Sequence, residues 1–292
     1  MAILEIESAA LRVGIDTKGA ELAYITGVDG VEYLWRGDET VWAKRSPLLF
    51  PICGGLKEDT YTYRCRHYSL PKHGFAQMSE FAGHKTGDAT AEFVLTDSDE
   101  TRAVYPFSFS LTVRYALDGD RLTVEYDVEN RAKTPMFFSI GAHEGYACPE
   151  GIEAYDVVFD EAVTLEHTVL HGNLLANETV RMMENGCVFP LREEYFAVDA
   201  LVFCNIPFRA ATLVQRGGGK HIRVEFPDAD YFLLWTKPHA GYICLEPWLG
   251  IPDREGSEYD ITRKEGIRRL EIGARYTTVH TVTCRYERET HE

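Results

Sequence analysis

Hydrophobic and polar residues alternate with a period of two over much of this chain. The clearest case is residues 107–117, where phenylalanine, leucine, valine and tyrosine occupy every second position. Asp118-Gly119 follows as a hairpin turn signal, since glycine tolerates positive φ, and the alternation resumes over residues 122–129. Strands that are apolar on one face and polar on the other are typical of antiparallel sheets.

Similar short runs recur along the chain with turn residues between them, and long helical periodicity is nearly absent. The runs lie near residues 20–26, 60–69, 91–96, 134–140, 155–160, 210–216, 220–226, 231–236, 242–246 and 275–285. Many short strands without crossover helices predict an all-β fold, a large antiparallel sandwich or barrel with very little helix. Because no linker or internal repeat divides the sequence, we expect a single domain over residues 1–292.

Composition narrows the choice of partners and compartment. The net charge of −16 and a pI near 5.1 argue against nucleic acid or an anionic membrane as partner. Seven scattered cysteines without a CxxC pair favour reduced thiols. The acidic N-terminus lacks a secretion signal, and no apolar run approaches the ~20 residues that span a bilayer. We therefore expect a cytoplasmic protein; its oligomeric state is left open, with a homodimer as one option.

Glu246 is the sharpest candidate for chemistry. It follows residues 242–245, which have the composition of a buried strand, and Pro247 is expected to end regular strand pairing directly after it. A partly desolvated carboxylate has a raised pKa and is a stronger base than an exposed one. A glutamate that is simply solvated at a strand end fits this segment equally well.

His143 ends the apolar run 137–142, whose last two residues, Gly141 and Ala142, are small enough for a ligand or another backbone to approach closely. An imidazole that titrates near neutrality suits proton donation to a ring oxygen. For a lone histidine, the more frequent role is a core side chain whose nitrogen binds a backbone carbonyl.

Four further residues could contact a sugar. His73 lies between a loop-like Pro-Lys pair and a glycine, and is either a second imidazole at the site or an exposed loop residue. Asp199 could accept hydrogen bonds from hydroxyls or occupy a turn. Trp235 and Trp248 could stack on a pyranose, although core packing is the more frequent role of tryptophan. Metal-ligand spacings such as HxH and HExxH are absent, so no metal is predicted.

Taken in order, six short segments resemble the aldose 1-epimerase (galactose mutarotase) family, and specifically its LacX-like branch. The segments are residues 46–51, 70–75, 138–143, 199–203, 235–238 and 246–251. The resemblance runs from about residue 10 to about residue 285. It implies a β-supersandwich that holds a small-molecule aldose in an open cleft and needs neither cofactor nor metal.

The resemblance also implies roles for individual residues in the interconversion of the α and β anomers of a hexose. Glu246 is the expected base that takes the proton of the anomeric hydroxyl, and His143 is the expected acid that protonates the ring oxygen. His73 is expected to assist at the ring oxygen, and Asp199 to hold sugar hydroxyls.

Two positions depart from the family pattern. Gly55 stands where the family commonly has arginine, and we hypothesise that Lys57 partly replaces it, because residues two apart on a strand share a face. Glu144 stands where the family often has proline. A negative charge beside His143 is expected to favour the protonated imidazole.

Two other functions stay open at this point. A hexose-6-phosphate 1-epimerase of the same fold would need clustered cations for the phosphate. A non-catalytic sugar-binding or regulatory protein would account for the missing arginine. The presence of both Glu246 and His143 favours an enzyme over a binder, and a glycosidase would typically use two carboxylates.

Overall fold

Antiparallel strands make up most of the chain in the computed structural model, which describes residues 2–287. The strands are β1 (Ile3–Glu7), β2 (Leu11–Asp16), β3 (Glu21–Gly27), β4 (Thr60–Tyr63), β5 (Arg66–Ser69), β6 (Ala82–Gly87), β7 (Thr90–Thr96), β8 (Phe109–Asp118), β9 (Arg121–Asn130), β10 (Met136–Phe138), β11 (Glu144–Ala147), β12 (Tyr155–His171), β13 (Leu174–Pro190), β14 (Leu201–Cys204), β15 (Ala210–Gln215), β16 (Gly219–Glu225), β17 (Tyr231–Trp235), β18 (Tyr242–Trp248), β19 (Arg268–Leu270) and β20 (Arg275–Glu287).

Helical structure is confined to short pieces within the described residues. The α-helix is α1 (Asp99–Val104), and the 3₁₀ turns are Lys57–Asp59, Ala76–Met78, Ile152–Ala154, Glu193–Phe196 and Ile261–Arg263. No helix in this part of the chain combines the length and the apolar character needed to cross a membrane.

Thirteen of the strands form one sheet. Its order is β11-β18-β17-β14-β12-β15-β16-β20-β9-β8-β7-β6, with β13 paired to β12. The three smaller sheets are β1-β2-β3, β10-β19 and β4-β5. The pairs that build the large sheet are antiparallel, so the predicted all-β antiparallel architecture is confirmed.

The large sheet folds back on itself to enclose the core. β11 and β20 stand seven places apart in the strand order, yet Glu144 of β11 and His280 of β20 are hydrogen-bonded at 3.0 Å. A contact of this kind requires the part of the sheet around β11 to pack face to face with the part around β20, as in a sandwich. The space between them is filled by apolar side chains from nearly every strand.

The alternating pattern predicts the β8–β9 hairpin correctly. Phe109, Leu111 and Val113 are fully buried, and Asp118 pairs with Arg121 across a two-residue turn in which Gly119 has φ +57°. The hydrophobic period of two therefore fixes which face of these strands enters the core.

Two expectations about strand ends are wrong. β12 runs on to residue 171 and pairs with the equally long β13, most of whose side chains are exposed, so alternation does not mark it. Pro247 does not end pairing: it lies inside β18, opposite Phe232. Its carbonyl oxygen accepts from the N–H of Ala142 at 3.1 Å, and pairing continues to Gly141 opposite Trp248. The carbonyl of Ala142, which an N–H at position 247 would meet, accepts from Nε1 of Trp248 at 3.0 Å instead, so the missing N–H of proline leaves no unpaired group there.

Candidate active site

An open cavity of about 200 Å³ lies at the end of the sheet formed by β11, β18 and β17. Most of the residues singled out from the sequence line it. They are His73, His143, Asp199, Trp235, Glu246 and Trp248. The volume is below the ~300–1,000 Å³ of sites for drug-sized ligands and suits a single small ring.

Glu246 reaches the cavity from the middle of the wall rather than from a strand end. In β18 it pairs with Leu233 of β17, and both side chains line the cavity. Only 1% of Glu246 is exposed, and its Oε2 has no hydrogen-bond partner among the described residues. Burial raises the pKa of this carboxyl well above its usual value, with the Glu144 and Asp199 charges adding to the effect and Lys72 opposing it.

His143 is positioned by the segment before it. The N–H of Ala142 donates to Pro247, and Nε1 of Trp248 donates to the carbonyl of Ala142 at 3.0 Å. The small residue Gly141 matters here because the indole of Trp248 packs directly on it, where a Cβ would lie 2.6 Å from Cδ1. The close approach that the sequence predicts is therefore made by the tryptophan.

Aromatic rings enclose the imidazole of His143. Trp42 stacks on it with ring centroids 5.4 Å apart, and Trp235 and His73 present their edges at 5.5 and 5.6 Å. Burial, together with the charges of two cavity lysines, lowers the pKa of His143 to about 3. The expectation that this imidazole titrates near neutrality is wrong, because the rings remove it from water.

Glu144 also differs from expectation. Its carboxylate points away from His143 into the sandwich core, where it meets His280 at 3.0 Å. Successive side chains on a strand point to opposite faces, which is why a neighbour in sequence does not become a charge partner. The predicted stabilisation of protonated His143 by Glu144 is therefore wrong.

His143 and Glu246 nevertheless form a pair. Nδ1 of His143 lies 3.5 Å from Oε1 of Glu246, and this nitrogen has no hydrogen bond within the described residues. The raised pKa of the carboxyl and the lowered pKa of the imidazole have the same main cause, burial. Burial therefore favours the uncharged form of each group, with a proton on the carboxyl and none on the imidazole.

His73 is held in a strained backbone conformation beside the pair. Its φ is +70°, a left-handed value that costs a non-glycine residue on the order of 1–2 kcal/mol. Its N–H donates to the carbonyl of Gly54, and the N–H of Gly54 donates to its Nδ1 at 3.1 Å. Nδ1 is therefore an acceptor, so a neutral His73 carries its proton on Nε2. Burial holds the pKa of His73 well below its usual value, which keeps it a neutral donor.

Charged side chains lie on the opposite part of the lining. Asp199 is partly exposed, and its Oδ2 lies 4.0 Å from Nζ of Lys72. Lys44 also lines the cavity and is hydrogen-bonded to the side chain of Gln77. Sequence analysis missed both lysines as site residues, although Lys72 directly precedes His73 in one of the six segments.

Tryptophans form the apolar part of the lining. Trp235 and Trp248 both reach the cavity, as does Trp42, which sequence analysis did not single out. Trp42 lies in an irregular loop four residues before the segment 46–51. Its contacts with His143, Trp235 and Tyr242 come from the tertiary fold, so no local pattern marks it.

The structure does not bring Lys57 to the cavity. Lys57 begins a 3₁₀ turn, not a strand, and its ammonium lies 4.9 Å from the ring centre of Tyr259. The shared strand face on which its predicted role depends is therefore absent, and that placement is wrong. Next to Gly55 stands Asn173, whose Cβ is 2.9 Å from where a side chain at position 55 would begin. Asn173 itself lines the cavity.

Three side chains lie close enough together to be candidate metal ligands. His143, Cys244 and Glu246 each place one ligand atom within 4.8 Å of the others, and all three are buried. Burial holds the pKa of the Cys244 thiol well above its usual value, whereas metals bind the thiolate. These residues therefore fit a metal poorly, and no role below depends on one.

Comparison with known proteins identifies the family. The sequence profile of the aldose 1-epimerase family matches residues 2–249, and the chain belongs to this family. Protein LacX of Lactococcus lactis subsp. lactis, in its plasmid and chromosomal forms, is 31% identical over 262 residues, which cover 85% of this chain and 88% of the relative. The resemblance inferred from the six segments is thereby confirmed.

Solved structures support the same fold. A galactose mutarotase related enzyme from Lactobacillus acidophilus matches with a TM-score of 0.94 at 29% identity, covering 99% of both chains. A galactose mutarotase-like protein from Lactobacillus casei ATCC 334 matches with a TM-score of 0.91 at 26% identity, covering 97% of this chain and 100% of that one. The supersandwich expected from the resemblance is confirmed.

Proposed function

We propose that this protein is an aldose 1-epimerase that interconverts the α and β anomers of a hexose by opening and reclosing the ring. The observation that carries the proposal is the pair of His143 and Glu246, buried in a cavity wall 3.5 Å apart, each with a polar atom that has no partner within residues 2–287. Unsatisfied buried polar atoms are costly. A sugar with hydroxyls on either side of its ring oxygen supplies the missing partners.

The chemistry needs one proton to leave O1 and one to arrive at O5. Transfer of the shared proton from Glu246 to His143 produces the reactive forms, a carboxylate and an imidazolium, without any exchange with solvent. Glu246 then takes the O1 proton while His143 protonates O5, the C1–O5 bond breaks, and O1 becomes the aldehyde oxygen. Rotation about C1–C2 and the reverse proton transfers close the ring as the other anomer.

When the sugar is in its open-chain form, Glu246 and His143 are in the protonation states that the cavity favours. After ring opening, Glu246 is protonated and His143 is neutral, which are the states that burial favours for both groups. Matching acid and base to the charge that develops in the reaction contributes on the order of 10²–10⁴-fold to a rate. The buried pair therefore lowers the barrier to ring opening rather than simply binding the sugar.

Neighbouring residues hold the ring in register with the pair. Nε2 of His73, which carries the proton, donates towards the ring oxygen. Asp199 accepts hydrogen bonds from hydroxyls at the partly exposed side of the cavity. Trp235 and Trp248 offer flat apolar surface to the C–H face of a pyranose.

Anomer exchange measured by NMR saturation transfer on glucose and galactose tests the proposal. The wild-type protein should accelerate exchange, and Glu246→Gln should lose roughly 10²–10⁴-fold of that acceleration. Glu255→Gln provides the matched control, since it makes the same change at an exposed carboxylate outside the cavity. Sugar binding without acceleration by the wild-type protein would instead identify a non-catalytic binder.

A second candidate substrate is an aldose that carries an anionic group, as in a hexose 6-phosphate. The observation in its favour is that Lys44 and Lys72 both line the cavity, which supplies the clustered cations that such a substrate needs. Both lysines also act on the imidazole of His143 through their charge. In a protein of net charge −16, two lysines at one cavity concentrate positive charge there, although Asp199 lies 4.0 Å from Lys72.

Comparison of kcat/KM for a hexose and its 6-phosphate separates the two candidates. Lys44→Met and Lys72→Met should lower kcat/KM for the phosphorylated sugar about tenfold or more, as loss of a charged hydrogen bond does, and leave the neutral sugar less affected. Equal losses for both sugars would rule out the anionic substrate.

A further inference from the structure

Two acid–imidazole pairs lie back to back on opposite faces of β11 and β18. In the antiparallel register Glu144 pairs with Leu245, so both point into the sandwich core. Glu246, the next residue of β18, points into the cavity beside His143. Each carboxyl meets an imidazole, at 3.0 Å on the core face and 3.5 Å on the cavity face.

The core pair is a buried contact between a carboxyl and an imidazole in a largely apolar interior. Glu144 and His280 are each 3% exposed, and Oε2 of Glu144 has no partner among the described residues. Apolar residues of similar size are often at least as stabilising as a buried ion pair, because desolvation of two charges offsets their attraction. Stability therefore does not explain the pair, and the ring-opening chemistry above does not use it.

The charged and titratable groups around the carboxyls of Glu144 and Glu246 determine which groups the charge of Glu144 can influence. Glu144 meets His280 at 3.0 Å, and its charge acts on Tyr115 and Tyr126 of other strands, on Tyr146 of its own strand and on Cys244. The charges that act on Glu246 are those of Lys72, Glu144 and Asp199, and His143 lies 3.5 Å from it. Of these charges, Glu144 is the one on the core side of the wall, opposite Leu245 in the β11–β18 pair.

We propose that Glu144, held in place by His280, is a positioning residue that sets how the reactive proton is shared between Glu246 and His143. The inference rests on the proposed function of the cavity pair. Glu144 lies opposite Leu245 of β18, the residue before Glu246, and the imidazole of its partner His280 lies on β20. The negative charge is thus on the Glu246 side of the core pair, which favours the proton on Glu246, the state reached again when the sugar ring opens.

Replacement of Glu144 removes a charge on the core side of the cavity wall and leaves the residues that line the cavity unchanged. Glu144→Gln keeps an oxygen that can accept from Nε2 of His280 but removes the negative charge. The Glu246 carboxyl should then titrate about one pH unit lower, since a like charge on the opposite face of the same strand pair acts at that level through an effective dielectric of ~20. Tyr146→Phe is the matched control: it alters a buried, unpartnered hydroxyl on the same face of β11 and should leave the titration unchanged.

The experiment is a ¹³C-carboxyl NMR titration of Glu246, whose resonance is assigned by its loss in Glu246→Gln. A fall in the titration midpoint in Glu144→Gln, with none in Tyr146→Phe, supports the inference, and equal midpoints in all three proteins overturn it. If Glu144→Gln does not fold, the double variant Glu144→Gln/His280→Gln restores an amide pair across the core. It should show the same fall.

Kinetics distinguish failure of this inference from failure of the proposed function. In an active enzyme, the alkaline limb of the kcat profile for anomer exchange should move to lower pH in Glu144→Gln by the same amount as the NMR midpoint, with KM little changed, because loss of the Glu246 proton leaves the pair without the proton that the reaction needs. Absence of catalysed exchange in the wild-type protein would refute the epimerase proposal alone. Unchanged midpoints would refute the role of Glu144 whether or not the protein is active.

Discussion

Replacement of His143 by glutamine should change how the stability of the fold depends on pH. The imidazole is enclosed by Trp42, Trp235 and His73, and burial lowers its pKa to about 3 from an ordinary value of 6.5. A histidine with a lowered folded pKa contributes stability that is fully present above pH 6.5. That contribution is lost as the pH falls from 6.5 towards 3, because in this range the unfolded chain binds a proton at His143 that the folded protein does not bind.

The size of the effect follows from the two pKa values. At pH 4.5 the imidazole of His143 is about 99% protonated in the unfolded chain and only about 3% protonated in the folded protein, for a folded pKa of about 3. This difference in proton binding corresponds to roughly 2–3 kcal/mol of free energy of unfolding. His143→Gln lacks this term because glutamine does not titrate.

Urea unfolding at pH 8 and pH 4.5 measures the effect. The free energy of unfolding of the wild-type protein, relative to His143→Gln, should fall by roughly 2–3 kcal/mol between the two pH values. Other titrating groups are common to both proteins and largely cancel. His84→Gln, at an exposed position, should show no such change. An equal difference at both pH values would refute the conclusion that His143 is buried in its neutral form.

Three further substitutions test the geometry of the cavity. Gly74→Ala should lower the free energy of unfolding by about 2 kcal/mol or more, because φ is +72° and a Cβ would lie 2.3 Å from the carbonyl oxygen of Phe50; an unchanged urea midpoint would contradict this. Lys57→Ala should leave the KM for sugar within about twofold, because its ammonium lies on an aromatic ring outside the cavity; a large rise in KM would restore Lys57 as a substrate contact. Gly55→Arg should raise KM by displacing Asn173, and the added change Asn173→Gly should reverse this; equal KM values in the single and double variants would count against the clash.

The fold was predictable wherever one face of a strand is buried and the other is wet. β8 and β9 meet that condition, and their period of two and turn glycine indicate the hairpin directly. β13 does not, because most of its residues are exposed on both faces and carry no apolar period. Pro247 misled because the indole of Trp248 supplies the hydrogen bond that the proline nitrogen cannot make to Ala142, and only the tertiary fold brings those groups together.

The residues of the candidate site could be predicted only where they stand in short, recognisable sequence segments. Glu246 and His143 stand in recognisable segments, and the cavity brings them together. The direction of the Glu144 side chain depends on strand alternation around a residue that lies at the very start of β11. Trp42 and Asn173 reach the cavity from an irregular loop and from the turn between β12 and β13, and only the tertiary fold places them there.

The central claim is that His143 and Glu246 act as one proton-transfer unit, and a double-mutant cycle on the rate of anomer exchange tests it most directly. Groups that act as a unit show strongly non-additive losses. His143→Gln, Glu246→Gln and the double variant should therefore all fall to a similar low rate, within about tenfold of one another. Losses that multiply in the double variant, or a single variant that keeps the wild-type rate, would contradict it.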